Sequence, residues 1–213
     1  MKQKTNNGKL MGIIFIVVLA ITMLLSSCSN SIAKTVLNTT SSGNSTTTKT
    51  ATTGTSLSIS VDKPNVNTGD SFTINVIINS QVASRGVQCA LSFDPSAMQC
   101  NGVTQGNFYT DWASANNVTT AVMPASPAID NTQGIVATWA VAVMGQISGS
   151  EYSNASPGGA IGQGVVFSYS MTAKTGINKK ISLQLSAVKV MDENADPINN
   201  VGVKDGTVTI GTP

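Results

Sequence analysis

Residues 85–103 read RGVQCALSFDPSAMQCNGV, and apolar side chains alternate with small or polar ones along the first half of this stretch. The apolar positions are Val87, Cys89, Leu91 and Phe93. Successive side chains of a strand point to opposite faces of a sheet, so this spacing predicts a strand with one buried face. Asp94-Pro95 is a turn signal, and the next strand is predicted over residues 98–103.

The same period of two recurs through much of residues 57–210. Longer runs cover residues 72–78, 135–143, 165–171 and 181–187, and shorter ones cover residues 57–61, 118–123 and 207–210. Two predicted inward sets are Ile135, Ala137, Trp139, Val141 and Val143, and Ile181, Leu183, Leu185 and Ala187. Turn signals separate the runs, and no stretch has a convincing helical stripe. The pattern predicts an all-β antiparallel sandwich or jelly roll of about nine strands, with Trp139 in its core.

The N-terminal residues have the features of a secretory leader. Three lysines precede a sixteen-residue, largely apolar run at residues 10–25, and Ser26, Ser27 and Cys28 follow it. Spanning a bilayer takes about 20 apolar residues, so cleavage is favoured over an uncleaved anchor. Leu25-Ser26-Ser27-Cys28 resembles the lipobox of bacterial lipoproteins. That resemblance implies that residues 1–27 are a lipoprotein signal peptide and that Cys28 carries the lipid; an ordinary secretory signal is the alternative.

Residues 28–56 are predicted to form a disordered linker. Thirteen of the nineteen residues at 38–56 are Ser or Thr. Such a segment cannot bury enough apolar surface to offset the entropy of ordering its backbone. The folded domain is therefore assigned to residues 57–213, which is long enough to bury a single core.

The composition excludes several classes of function. The chain has no histidine, which rules out a Ser/His/Asp triad and any histidine-ligated metal. Only 10% of the residues are charged and the formal net charge is +2, without the clustered Lys and Arg that nucleic acid binding needs. We predict no enzymatic activity, no cofactor, no metal and no nucleic acid partner.

One short motif begins like a calcium-binding loop. Residues 192–196 read DENAD, with oxygen-bearing side chains at alternate positions. A complete loop needs Gly at its sixth position and Glu at its twelfth, where this chain has Pro197 and Val203. The motif therefore predicts a polar turn.

Three stretches, in this order, resemble cohesin domains. Residues 57–79 are similar to the first two cohesin strands, with Thr68-Gly69-Asp70 at the place of their Gly-Asp turn. Residues 85–103 resemble the strand that leads into Tyr-Asp-Pro-Ser-x-Leu, with Phe93 for the Tyr and Met98 for the Leu. Residues 164–210 are similar to the last three strands and close on Asp-Gly-x-Val. The resemblance implies a nine-stranded antiparallel sandwich with jelly-roll topology, related to carbohydrate-binding modules.

The resemblance also implies a partner and the surface that binds it. Cohesins receive dockerin modules on one sheet, which includes the strand that here is residues 86–93, and on the loop before the last strand. The candidate partner-binding residues are the outward row of that strand and two acidic residues of the loop: Gly86, Gln88, Ala90, Ser92, Asp192 and Glu193. The expected partner is a dockerin-like module that holds its own calcium.

Cys89 and Cys100 are the only thiols left after Cys28. They lie at equal distances from the turn at Asp94-Pro95, and an extracytoplasmic compartment is oxidising. If the cohesin topology holds, their strands lie in opposite sheets and a disulfide would join the sheets, contributing about 2–4 kcal/mol. Two reduced core cysteines are the alternative.

Three aromatic residues outside the alternating runs suggest a second kind of ligand. Tyr109 and Trp112 lie in one short segment, and Tyr152 lies in a glycine-rich loop. A flat ring stacks on a pyranose face and excludes water, so these residues are candidates for a carbohydrate platform.

We therefore predict a non-catalytic, extracytoplasmic lipoprotein that is held at the cell membrane or cell surface only through its lipid. Its cohesin-like module is expected to bind a dockerin-bearing protein linked to polysaccharide breakdown. The alternative is a carbohydrate-binding lipoprotein of the cell envelope, with polysaccharide as the partner.

Overall fold

The computed structural model describes residues 54–148, 151–153, 158–174 and 179–211. The predicted signal peptide, Cys28 and nearly all of the predicted linker lie outside these residues. The described ranges contain one helix, α1 (Asn107–Ala115), and thirteen strands. The strands are β1 (Ser56–Val61), β2 (Asn65–Asn67), β3 (Ser71–Ser92), β4 (Met98–Gln105), β5 (Thr119–Met123), β6 (Ile129–Asp130), β7 (Ile135–Met144), β8 (Gln146–Ser148), β9 (Glu151–Ser153), β10 (Ala160–Ala173), β11 (Lys179–Asp192), β12 (Gly202–Lys204) and β13 (Gly206–Gly211).

Strand β3 is the structural centre of the domain because it belongs to both halves of one curled sheet. Its first half pairs with β1 on one side and β10 on the other, and β10 also pairs with β4. Its second half pairs with β7 and β11, and β5 and β6 pair with β7 beyond it. The predicted strands at residues 72–78 and 87–93 are thus one 22-residue strand. The all-β class and the sandwich architecture are confirmed.

The apolar core lies between the two halves of the sheet. Alternate side chains of β3 point into it, and Ile74, Val76 and Leu91 are completely buried. Full burial of an aliphatic side chain of this size contributes about 1.5–3 kcal/mol. Trp139 of β7 and Phe167 of β10 meet across the core with ring centroids 5.0 Å apart. The prediction that Trp139 is a core residue is confirmed, and its indole N–H donates to the carbonyl of Pro124 at 2.7 Å.

Strand β7 departs from strict alternation at a bulge. Cys89 faces Trp139 and Leu91 faces Val136, so two residues of β7 lie opposite one residue of β3. Val136 is completely buried, whereas Ile135 is 42% exposed. The predicted inward positions of Ile135 and Ala137 are therefore wrong, because the extra residue moves the start of the strand by one position.

Strand β11 contains a second bulge. Ser186 faces Ala90 and Lys189 faces Gln88, which leaves Ala187 and Val188 opposite one residue of β3. Ala187 is exposed and has a φ of 51°. The predicted inward position of Ala187 is wrong for this reason, whereas Ile181, Leu183 and Leu185 point inward as predicted.

Helix α1 is an element that the alternating pattern did not predict. It buries Phe108, Tyr109 and Ala113, and it packs on β10, β5 and β7. Its nine residues hold too few buried positions to give a recognisable helical stripe, and Gly106 at its N-cap offers no side-chain cap. In the part of the chain that the structure describes, no helix is long and apolar enough to cross a membrane.

Candidate functional site

The outward side of the second half of β3 and of its neighbours forms a continuous surface, which we call the β3 face. Residues paired across neighbouring strands point to the same side of a sheet, so the register defines two adjacent rows. One row consists of Ala121, Ala142, Gly86 and Met191, and the other consists of Met123, Ala140, Gln88 and Lys189. Val87, Val141 and Val190 lie between the rows and point into the core. The β3 face is therefore the solvent side of the half of the sheet that covers those valines.

Half of the residues in the two rows of the β3 face are Gly or Ala, and all but one are uncharged. Gly86 is buried and Ala90 is only 8% exposed, although both point outward, because neighbouring residues shield such small side chains. Gln88 and Ser92 are half-buried. Lys189 is the one charged residue in the two rows. A surface of this kind lets another backbone approach closely with little polar group to desolvate.

Gln88 lies along the face and does not project from it. Its side-chain amide donates to the carbonyl of Ala187 at 3.1 Å. That carbonyl is available because the bulge in β11 interrupts the ladder between β3 and β11 at this point. The bulge thus fixes the longest polar side chain of the predicted row.

A depression of about 370 Å³ marks one end of the β3 face. Its walls include Gly86, Ala142 and Met191 of the first row, together with Met144 and Arg85. Its rim is the loop that follows β11, which carries Asp192 and Glu193. The structure thus brings Gly86 together with the two predicted acidic residues around one concave site. Ala142, Met144 and Met191 were not predicted, since their place beside Gly86 depends on strand pairing that alternation alone cannot reveal.

The acidic loop is a compact polar turn. The Asp192 carboxylate accepts the backbone N–H groups of Asn194 at 2.8 Å and Asp196 at 2.9 Å. These bonds are those of an Asx turn and leave Glu193 exposed at the rim. Among the described residues, no group of three or more His, Cys, Asp and Glu side chains is placed to hold a metal ion.

The predicted carbohydrate platform is not formed by Tyr109. This side chain is 1% exposed, and its hydroxyl lies 3.1 Å from the Ser84 hydroxyl in the core. Tyr109 is buried because the helix turns it toward β3. Trp112 is half-buried, with the Arg85 guanidinium carbon 5.5 Å from its ring centre. Tyr152 belongs to β9, and its side chain lies outside the described residues.

Cys89 and Cys100 are free thiols in the structure, so the predicted disulfide is not formed. Cys89 Sγ lies 3.9 Å from the Tyr169 hydroxyl, and Cys100 Sγ donates to the carbonyl of Gly102 at 3.6 Å. Each sulfur therefore has its own partner within the core. Burial raises the pKa of the Cys89 thiol to about 12, which leaves it protonated and unreactive at neutral pH.

Residues 57–210 match the sequence profile of the family described as "Cohesin domain". The chain belongs to the cohesin family. No curated protein matches it in sequence. Cohesin domains are non-catalytic protein–protein interaction modules, and the prediction that this cohesin is not an enzyme is confirmed.

Solved structures of cohesins share its fold. The second type II cohesin module of the adaptor scaffoldin ScaA of Acetivibrio cellulolyticus is 12% identical, with a TM-score of 0.55 over 74% of this chain and 98% of that chain. A type II cohesin domain from the cellulosome of the same organism is 16% identical, with a TM-score of 0.53 over 74% of this chain and 95% of that chain. A type I cohesin–dockerin complex from Clostridium thermocellum contains a chain that is 16% identical, with a TM-score of 0.52 over 75% of this chain and 95% of that chain. At these identities the likeness concerns the fold.

Proposed function

We propose that this cohesin is a cell-surface lipoprotein that binds a dockerin-bearing protein on its β3 face. The observation that supports the proposal is the composition of the two rows, in which four of eight residues are Gly or Ala, two are Met and only Lys189 is charged. Such a surface gains affinity from close apolar contact, and the methionines in and beside the rows, Met123, Met144 and Met191, can adjust their shape to a partner.

Relatives with the same fold support the choice of partner. One was solved as a type I cohesin–dockerin complex from Clostridium thermocellum. Another was solved as a type II cohesin–X–dockerin complex from Acetivibrio cellulolyticus, with a TM-score of 0.53. A partner of the same class suits the β3 face, because its central Gly86, Ala140 and Ala142 let a rigid surface approach closely and Gln88 is held along the face by its bond to Ala187.

Asp192 and Glu193 make one end of the β3 face differ in charge from the other end. Together with Arg85 they line the depression at one end, where two carboxylates outnumber one guanidinium. Charges at the rim of an interface steer the encounter and fix the orientation of the partner more than they add affinity. A partner with basic residues at the corresponding end would dock in one orientation.

The sequence supports the cell-surface location. Residues 1–27 serve as the lipoprotein signal peptide, Cys28 carries the lipid, and the Ser/Thr-rich segment that follows acts as a spacer. The bound partner would then be held near the cell, where enzymes that degrade polysaccharide act on their substrate.

Calorimetric titration tests the proposal. The chain without residues 1–27 and with Cys28→Ser would be titrated with each dockerin-like segment encoded by the source genome, with and without calcium. We expect calcium-dependent binding to at least one segment. Gln88→Arg is expected to abolish it, because a long charged side chain in the middle of the face prevents close approach.

A matched variant distinguishes a local effect on the β3 face from a general loss of structure. Gln163→Arg places the same exchange on an exposed residue of β10, outside the β3 face, and is expected to bind like the parent chain. Absence of binding to every segment, or equal loss in both variants, would count against docking on the β3 face.

A further inference from the structure

A second concave site lies between α1 and the start of β10, outside the two rows of the β3 face. It is a depression of about 230 Å³. Its lining includes two aromatic rings, one large aliphatic side chain and three planar polar side chains: Phe108, Trp112, Ile161, Asn107, Asp111 and Gln163. Ligand pockets for drug-sized molecules measure about 300–1,000 Å³, so this one has room for a single small ring.

Ile161 faces solvent because the backbone of β10 is irregular where it borders the depression. Ala160 pairs with Ser84 and Gly162 pairs with Ser80, so the register shifts around Ile161. Gly162 has a φ of 98°, a conformation that glycine adopts without strain. The result is a 65% exposed isoleucine, an apolar surface that the fold itself does not use.

Trp112 provides a rigid apolar wall on the helix side. The Arg85 guanidinium lies over its ring at 5.5 Å from the ring centre, and the Arg85 Nε–H donates to the carbonyl of Gly158 at 2.5 Å. A guanidinium in this position is attracted to the ring and holds its orientation. The indole is therefore pre-positioned, which lowers the entropy cost of binding a ligand against it.

The polar side chains offer both donors and acceptors. The Asn107 side-chain N–H donates to Asp111 Oδ2 at 3.1 Å, which leaves Asn107 Oδ1 and Asp111 Oδ1 as acceptors for a ligand. Gln163 is exposed and makes no side-chain hydrogen bond within the described residues. Its amide supplies both a donor and an acceptor. Asp111 is the only charged residue of the lining, which disfavours an anionic ligand.

From this geometry we infer that the depression at Trp112 binds one neutral sugar ring, at an end or a branch of a polysaccharide. A pyranose has apolar C–H faces for Trp112 and Ile161, and its hydroxyl groups both donate and accept, as the polar set requires. The inference goes beyond the docking of a protein. It assigns the domain a second ligand on a separate surface.

The probe is a panel of neutral oligosaccharides: the cello-, xylo-, manno- and galacto- series. Each would be titrated up to millimolar concentration into the soluble chain without residues 1–27 and with Cys28→Ser, with polygalacturonate as the anionic comparison. We expect one neutral series to bind. Gln163→Ala is expected to weaken binding about tenfold, the effect of one lost hydrogen bond to a ligand.

Two further variants show whether weaker sugar binding is specific to the depression or follows from a loss of structure. Asp111→Ala removes an exposed side chain and is also expected to weaken binding, whereas Gln184→Ala, an exposed glutamine of β11, is expected to leave it unchanged. Gln88→Arg, which tests protein docking, is likewise expected to leave sugar binding intact. The inference would be overturned if no neutral series bound, or if polygalacturonate bound more strongly than every neutral series. It would also be overturned if the Gln163→Ala and Asp111→Ala variants bound the sugar as tightly as the parent chain.

Discussion

Gly134 occupies a position that no other residue fits well. Its φ is 69°, and a Cβ atom at this position would overlap the carbonyl of Phe93, whose own N–H donates to the Gly134 carbonyl at 2.8 Å. The turn before β7 thus packs directly against the backbone of Phe93 and the ring of Pro95 at the end of β3.

Replacing Gly134 therefore tests how tightly that turn is packed. We expect Gly134→Ala to lower the free energy of unfolding by about 2–4 kcal/mol, from the left-handed conformation together with the overlap. Gly69→Ala is the matched control, because Gly69 has a φ of 85° but open space around its Cβ position. Its expected cost is about 1–2 kcal/mol. Urea unfolding measures both, and equal losses would contradict the packing argument.

The two core thiols lead to a prediction about reactivity. Cys89 is completely buried and its pKa is raised by burial to about 12, and burial also raises the pKa of Cys100. Since the thiolate is the reactive form, neither cysteine should react with iodoacetamide in the native Cys28→Ser chain at pH 8. In denaturant without reductant both should be alkylated, as mass spectrometry shows directly. An unalkylated mass in denaturant would mean that the disulfide forms in solution.

At the scale of elements, the bulge in β7 is the clearest departure from alternation, and neighbouring residues test it. Val136 is buried and Ile135 is exposed, the reverse of strict alternation ending at Trp139. Val136→Thr is expected to lower the free energy of unfolding by about 1–3 kcal/mol, because it buries a hydroxyl group without a hydrogen-bond partner. Ile135→Thr should change stability by no more than about 0.5 kcal/mol. Thermal or urea unfolding distinguishes them, and the opposite ranking would place the bulge elsewhere.

The strands could be predicted from alternating apolar residues where no bulge interrupts their pairing. The second half of β3 follows the sequence pattern: Val87, Cys89 and Leu91 point inward, and Gln88 and Ala90 point outward. Alternation fails at Ala187, where an extra residue opposite β3 shifts the register. A single-residue insertion shifts the inward positions by one, from Leu185 to Val190 in β11. The shift was concealed because apolar Ala187 continues the earlier alternation.

The candidate site was predictable only along one strand. Gly86, Gln88 and the acidic loop follow from the order of the motifs, whereas Ala142 and Met191 join them through pairing between residues far apart in the chain. Tyr109 was mistaken for a surface aromatic because α1 was not recognised as a helix, and the helix turns this ring into the core. Trp112, three residues later, lies at the edge of the same face of the helix, packs against the core and is only half-buried.

At the scale of the whole molecule, the proposed anchor makes a prediction about location. Cys28→Ser removes the sulfur that would carry the lipid, and two or more acyl chains are what hold a protein stably on a membrane. We expect the parent chain to incorporate an alkyne fatty acid and to sediment with membranes, and the variant to do neither. Cys100→Ser serves as the control for loss of a cysteine elsewhere. Membrane association of the Cys28→Ser chain would favour an uncleaved apolar anchor.

The central position of β3 affects how this domain folds during its synthesis. The strand is complete once residue 92 has been made, but its hydrogen-bonding neighbours β7, β10 and β11 end at residues 144, 173 and 192. Neither half of the sandwich can close before most of the domain has been synthesised and exported, and contacts so distant along the chain make folding slow. During that interval the first half of β3 can pair only with β1, on one side, and the second half has no partner on either side. The strand therefore offers unpaired edges to any other chain, the situation in which strands aggregate. The yield of this protein would therefore depend on how slowly the chain is exported and on whether a chaperone covers β3 during export. These factors would matter more for the yield than the stability of the folded domain does.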